Sequence, residues 1–270
     1  MLHRRQTGRG PDLLLIHGWG MNAAVWEPLL PAMSRHFRVT VLELPGHGGS
    51  TAAAVADLAE WARLALDVAP PKAWWLGWSL GGQVALQAAL DRPGRVQGLV
   101  LVGATPRFVE ADDWSCAMPL AIFHQFADAM AEDPNAALMR FLALQVSGAE
   151  HARETLKLLR FETGQRPPAS AKGLAQGLEL LLNTDLRSRL AGLDQPTHWV
   201  FGARDTLVPA SIRDGPCVWA VSGWWPFCWS LPWCACGRRP RRCVADRLRA
   251  LQLRRCGRRQ VGQRPASRPA

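Results

Sequence analysis

Residues 73–82 read Ala-Trp-Trp-Leu-Gly-Trp-Ser-Leu-Gly-Gly, and this stretch decides the fold. The apolar run Ala73–Leu76 enters a Gly-x-Ser-x-Gly turn made by Gly77, Trp78, Ser79, Leu80 and Gly81. Val84, Ala85, Leu86, Ala88, Ala89 and Leu90 then continue at helical spacing. Strand, sharp turn and helix in that order is the setting of a nucleophile elbow. A serine hydroxyl held proud of a strained turn needs neighbours two residues away that carry almost no side chain. Gly77 and Gly81 meet that need. The helix that starts after the serine aims its first N–H groups at charge developing during an attack. Ser79 is the expected nucleophile, with a glycine-rich structural turn as the alternative.

Upstream, Leu13–His17 is too short and too apolar for a surface helix and predicts a fully buried strand. It runs into His17-Gly18-Trp19-Gly20, then a helix from about Ala23 to Arg35 with Val25, Leu29 and Met33 on one face. Phe37–Leu44 is the next strand and ends in the loop Pro45-Gly46-His47-Gly48-Gly49-Ser50. A short first strand is expected over Leu2–Thr7, a helix over Asp57–Val68 and a buried strand over Gln97–Gly103. Strands and helices alternating at these intervals predict an α/β fold with a mostly parallel, doubly wound sheet.

The pattern then changes. Residues 106–190 carry only helical periodicity, over Leu120–Met130, Ala136–Val146, His151–Phe161 and Leu174–Leu182. An inserted helical cap is expected there, over the strand ends where open α/β sheets place their sites. Strand character resumes at Thr197–Gly202, followed by Ala203-Arg204-Asp205. The expected domains are a core of 1–105 and 191–213, the cap, and a tail from 214.

Composition bounds the rest. The 270 residues, 48% apolar, suffice for one large domain. No apolar run approaches the roughly 20 residues that span a bilayer. Met1–Gly10 has no hydrophobic stretch, so no signal peptide and a cytoplasmic protein are expected. The net charge of +10 is confined to the end of the chain. Of 32 lysines and arginines, twelve arginines fall after residue 213, with only two of the 22 acids. Residues 1–213 are left with twenty of each sign. A basic tail without a nucleic-acid-binding module signature gives no reason to expect a nucleic-acid partner.

Two more pieces accompany Ser79. The turn at Gly18 and Trp19 follows an early buried strand, so the Trp19 and Leu80 N–H groups are the expected oxyanion donors; a plain strand-to-helix turn is the alternative. Asp205, just past a later strand, suits the acid that orients a histidine, in the order Ser…Asp…His. A loop aspartate capping the next helix is the other reading.

HGWGMNAAVW (17–26), LPGHGGS (44–50), WLGWSLGG (75–82), FLALQVSG (141–148) and FGARDTLVP (201–209) together resemble the α/β-hydrolases, and within them the carboxylesterases of biotin synthesis. The similarity runs from about residue 2 to residue 213. It implies an α/β-hydrolase fold and hydrolysis of the methyl ester on a pimeloyl chain carried by acyl carrier protein. It implies Ser79 as nucleophile and Asp205 as triad acid. It also implies Trp19, Leu80, Phe141, Leu142, Ala143, Leu144 and Gln145 as oxyanion and substrate contacts, in a monomer needing no metal or cofactor. Generic short-chain ester hydrolysis and a catalytically dead pseudo-hydrolase are the alternatives.

Arg140, Arg153, Lys157 and Arg160 fall on neighbouring expected helices, with Arg153 and Lys157 four apart and so on one face. A basic rim steers acidic partners such as acyl carrier proteins, which makes Arg140, Arg153 and Lys157 the expected carrier-protein contacts. A solvated face shared with Glu150, Glu154 and Glu162 is the alternative.

The resemblance then breaks. The seven histidines are His3, His17, His36, His47, His124, His151 and His198, so none follows Asp205. Family spacing puts the missing base near Trp233. Neither His198, at the start of a strand, nor His124, within the cap, is expected to replace it. The region holds clustered Trp, Cys, Arg, Gly and Pro, the composition of a GC-rich gene read out of frame from about 214 to at least 242. Val244–Leu251 falls where a last helix is expected and keeps helical spacing. Cys234 and Cys236 lack the C-x-x-C pairs and histidines of a zinc site.

Overall fold

The elbow strand lies inside a sheet that has six strands among the described residues, its order following from which strands are apolar on both faces. The structure, a computed structural model, describes residues 1–208. Its strands are β1 (Arg4–Thr7), β2 (Asp12–Ile16), β3 (Arg38–Leu42), β4 (Ala73–Trp78), β5 (Val96–Val102) and β6 (Thr197–Val200). They are ordered β1-β3-β2-β4-β5-β6. β1 pairs antiparallel with β3, and every other pairing is parallel. Leu13 through Ile16 are buried, as a parallel strand covered on both faces requires. The polar β1, with its three exposed residues, takes the edge.

Parallel neighbours need crossovers, and helices supply them. Helix α2 (Leu58–Val68) buries Leu58, Trp61, Ala62, Ala65 and Leu66 on one face, and Asp57 caps it by accepting from the Ala59 N–H. Helix α3 (Leu80–Asp91) is buried over most of its surface. It is the helix that leaves the elbow.

One expected helix is broken. Residues 23–35 form a 3-10 turn over Ala23–Trp26 and a single α-turn, α1 (Leu30–Met33), instead of one continuous helix. Pro28 and Pro31 explain this: neither has an N–H to donate to the preceding turn, and Pro31 sits at the start of α1 where that loss costs nothing. The other expected elements occur, with ends displaced by one to a few residues.

Between β5 and β6 lie α4 (Leu120–Glu132), α5 (Pro134–Gln145), α6 (Ala152–Gly164) and α7 (Ala171–Asn183). Entry and exit of this insertion are fastened together. The Leu186 N–H donates to Pro106 O at 2.9 Å, and Arg107 pairs with Asp185 at 2.9 Å. Arg187 bridges Asp185 and Asp113 and lies over the Trp114 ring. The expected tail, Trp233 and the segment Val244–Leu251 lie outside the described residues.

Candidate active site

Ser79 has φ 53° and ψ −120°, and it is the non-glycine residue at positive φ among those described. A side chain held in that region is strained and persists only where its surroundings fix it. Here they do. A Cβ on Gly77 would come 2.4 Å from Gly81 O, and one on Gly81 would come 2.4 Å from His17 O. Glycine is thus obligatory on both sides of the turn. The Ser79 N–H donates to Val102 O at 2.9 Å, and its carbonyl accepts from the Gly82 and Gln83 N–H groups at 2.8 and 3.2 Å. No described residue bonds Ser79 Oγ, and Ser79 as a residue is half-buried.

Helix α3 begins at Leu80, so the Leu80 N–H is one of the unpaired donors of a helix start. The Trp19 N–H likewise donates to no described residue. A Cβ on Gly18 would lie 3.3 Å from Ser79 Cβ, so the turn after β2 runs directly against the elbow.

Two buried histidines shape that turn. His17 Nδ1 donates to Gly18 O at 2.8 Å, while its Nε2 accepts from the Leu44 N–H at 3.1 Å. His47 Nδ1 donates to Pro45 O at 2.9 Å, and its Nε2 accepts from the Gly20 N–H at 3.1 Å. One nitrogen faces a carbonyl and the other an amide, which defines neutral rings protonated at Nδ1. Burial drives His17 down to about 3 and His47 down to about 4. Both rings are committed to backbone and neutral, so neither is free to take a proton from Ser79.

Glu43, at the end of β3, completes this support. Its fully buried carboxylate accepts from the Ala23 N–H at 3.2 Å and the Gly49 N–H at 2.7 Å. Arg166, in the connection between α6 and α7, binds it through Nε and, at 2.9 Å, through a terminal nitrogen. Burial alone would push the Glu43 carboxyl up; the Arg166 and amide hydrogen bonds overcome it and hold the group below the usual carboxylate range.

Asp205 follows β6. Its Oδ1 accepts from the Leu207 and Val208 N–H groups, each at 2.9 Å, while Oδ2 receives no bond from any described residue. Burial raises the carboxyl above its ordinary pKa, and the two amides only partly oppose that. A Cβ on Gly103 would lie 3.4 Å from Asp205 Oδ2 and 3.7 Å from the Trp78 ring. Ser79, Gly103 and Asp205 therefore sit at the C-terminal ends of three adjacent strands, where parallel sheets place their sites.

All seven histidines are among the described residues, and none reaches this pair. His3 Nδ1 accepts from a terminal Arg166 nitrogen at 3.1 Å, beside Glu43. His124 is exposed on α4 beside Phe123, His151 is exposed at the start of α6, and His36 precedes β3. His198 pairs in register with Val100, which pairs with Leu76, three residues before Ser79. That is about 10 Å down the strands and two strand spacings of roughly 4.8 Å across. His198 is a sheet residue.

The Trp19 ring is buried, donates from Nε1 to Leu174 O at 2.9 Å, and meets Phe126 and Phe141 edge-on at 5.4 and 5.0 Å. The run Phe141–Gln145 splits around α5, as consecutive helical residues must. Phe141 joins the Trp19 cluster, Leu142 is buried, Ala143 and Gln145 are half-buried, and Leu144 is 46% exposed. Arg140, Arg153, Lys157 and Arg160 are all exposed, and no carboxylate among the described residues pairs with them. Among the described residues there is no cluster of side chains able to hold a metal. The sequence reading missed Glu43 and Arg166. The available signal was an acid inside the apolar run Val41-Leu42-Glu43-Leu44, which demands a partner once buried.

A strained serine at a strand–helix elbow, unpaired amides beside it and a carboxylate two strands away define a hydrolase of the α/β class. The chain belongs to the α/β-hydrolase family, whose profile matches residues 11–216. It is 42% identical over 222 residues to the pimeloyl-[acyl-carrier protein] methyl ester esterase of Stenotrophomonas maltophilia strain R551-3, covering 82% of this chain and 85% of that one. The protein of the same name from Methylococcus capsulatus is 43% identical over 208 residues, 77% of this chain and 82% of its own. Among solved structures, a hydrolase from Pseudomonas aeruginosa PA01 superposes with a TM-score of 0.60 at 28% identity, covering 80% of this chain and 81% of that one. An esterase from Exiguobacterium antarcticum superposes at 0.70 with 22% identity, covering 79% and 81%, and supports the fold. Among the described residues, no helix is long and apolar enough to cross a membrane.

Proposed function

We propose that this sequence is built as a serine carboxylesterase that removes the methyl ester from a pimeloyl chain on acyl carrier protein, in biotin synthesis. The observation that carries the reaction class is the Ser79 backbone at φ 53° between two obligatory glycines. The substrate rests on the names of relatives above 40% identity. Ser79 Oγ attacks the ester carbonyl carbon and passes its proton to a base. The Trp19 and Leu80 N–H groups hold the oxyanion, about 3–4 kcal/mol per donor in comparable enzymes. Methanol leaves, and water hydrolyses the acyl-enzyme by the same route. Asp205 orients the base. The insertion 106–190 acts as a cap, with Phe141 and its neighbours touching the acyl chain and Arg140, Arg153 and Lys157 meeting the carrier protein. The working protein is a cytoplasmic monomer.

The base belongs to the segment after residue 213, read out of frame in this chain, with the histidine falling near position 233 in the restored frame. A second reading, a pseudo-hydrolase that binds ester without cleaving it, is favoured by the seven histidines, none of which is hydrogen-bonded to Ser79 Oγ. The test is a chimera in which residues 214–270 give way to the matching segment of the Stenotrophomonas relative. It is expected to release methanol from the carrier-bound methyl ester, and its Ser79→Ala variant to release none. A folded chimera that binds the ester without cleaving it would select the second reading.

A further inference from the structure

We propose that the Ser79–Asp205 pair of this chain accepts a free imidazole as its general base, one ring nitrogen against Ser79 Oγ and the N–H of the other on Asp205 Oδ2. The inference rests on the reading of Ser79 and Asp205 as two thirds of a triad, and it concerns what the pair can bind.

Three observations support it. Ser79 Oγ and Asp205 Oδ2 each lack a described partner, although Asp205 Oδ1 has two. Both residues are partly open, and Ala203, Arg204 and Thr206 around the acid are exposed, so a small solute can approach. The rest of the apparatus is preformed: His17, His47 and Glu43 hold the turn carrying the Trp19 N–H, and Gly77 and Gly81 hold the elbow. An N–H donor on Oδ2 would also relieve a carboxylate that burial disfavours.

An imidazole has what the pair lacks, an acceptor nitrogen and an N–H donor on one small ring. As Oγ forms its bond to the ester carbon, the acceptor nitrogen takes the Oγ proton, giving imidazolium beside the Asp205 carboxylate. The imidazolium returns that proton to the departing methoxide oxygen as the C–O bond breaks. The neutral ring then takes a proton from the water that attacks the acyl-enzyme and returns it to Ser79 Oγ. The ring is regenerated, and the net reaction is ester plus water to acid plus methanol.

A positioned base contributes about 10²–10⁴ in rate, and an untethered ring recovers part of it because its positioning entropy is not prepaid. The experiment measures methanol release by the full 270-residue chain from the carrier-bound methyl ester, with imidazole raised to saturation near pH 7.5. Methoxide is a poor leaving group, so free imidazole gives little background. The expected result is a saturable rise on the order of tenfold or more, abolished in Ser79→Ala. 1-Methylimidazole, with no N–H for Oδ2, should be much weaker, and the difference between the two bases should vanish in Asp205→Ala. No acceleration, or a linear one equal in Ser79→Ala, would overturn the proposal. If the chimera hydrolyses the ester and this chain with imidazole does not, the imidazole site alone fails. If neither does, the esterase reading fails with it.

Discussion

Arg166 grips Glu43 from the connection between α6 and α7, and the same Glu43 oxygen that takes the Arg166 Nε also accepts the Ala23 N–H. One carboxylate thereby fastens the helical insertion to the turn that presents the Trp19 amide. Glu43 is fully buried while Arg166 is partly open to water. Removing the cation leaves an acid that cannot be resolvated. Arg166→Ala should lower unfolding free energy by on the order of 3 kcal/mol, the low end for a broken buried pair. Adding Glu43→Gln should recover part of that loss. Urea denaturation measures both, and an Arg166→Ala midpoint matching the parent would show that the pair stabilises nothing.

The buried histidines fix an acid limit. His17 and His47 fall from 6.5 in the unfolded chain to about 3 and about 4 in the folded one. Between those values the unfolded chain binds more protons, so stability falls as pH drops below 6.5. The slope is at most about 1.4 kcal/mol per pH unit for each ring. Above 6.5 their contribution is complete. His47→Gln keeps an acceptor for the Gly20 N–H and removes the titration. Unfolding midpoints from pH 7 to pH 4.5 should fall less steeply in that variant; parallel slopes would contradict the assignment.

Asp205 acts in the opposite sense. Its folded pKa lies above 3.8, so the folded chain holds more protons in that window and loses stability as pH rises through it. Asp205→Asn retains the Oδ1 acceptor for Leu207 and Val208 and cannot ionise. The variant should melt higher than the parent at pH 7, with the gain shrinking toward pH 4. Equal melting temperatures at both pH values would show that the carboxylate is compensated.

On the proposed function, the exposed cations of α5 and α6 act on encounter with the carrier protein. In the chimera, Arg153→Glu with Lys157→Glu should cut kcat/KM on the carrier-bound ester by about tenfold at low salt, since rim charges act mainly on association rate. The free methyl ester of pimelic acid should be unaffected. The difference between substrates should fade as salt is raised. Equal losses on both would point to a disturbed insertion.

The elbow was legible because its requirements are local: apolar strand, two glycines and helix lie within eighteen residues. The place of Asp205 just past a strand was legible from the apolar run that precedes it, Thr197–Gly202. The break at Pro28 and Pro31 was written in the sequence too, but the apolar spacing of Val25, Leu29 and Met33 imitates a continuous helix. The Glu43–Arg166 pair was hidden because its members are 123 residues apart and only the insertion's fold joins them. The neutral state of His17 and His47 was equally hidden. It depends on backbone carbonyls and amides from other loops, which sequence spacing does not encode.

On the proposed function, this chain holds a complete elbow and a waiting acid but no base. The measurement that tests this most directly is the ratio of methanol release from the carrier-bound methyl ester by the chimera and by this 270-residue chain, both without imidazole. Losing the base from such a unit costs on the order of 10⁶ in turnover and leaves about 10³–10⁴ over water. The chimera should therefore exceed this chain by at least about a thousandfold. Comparable rates would mean that another residue takes the proton from Ser79, and the assignment of Asp205 and the missing histidine would fall.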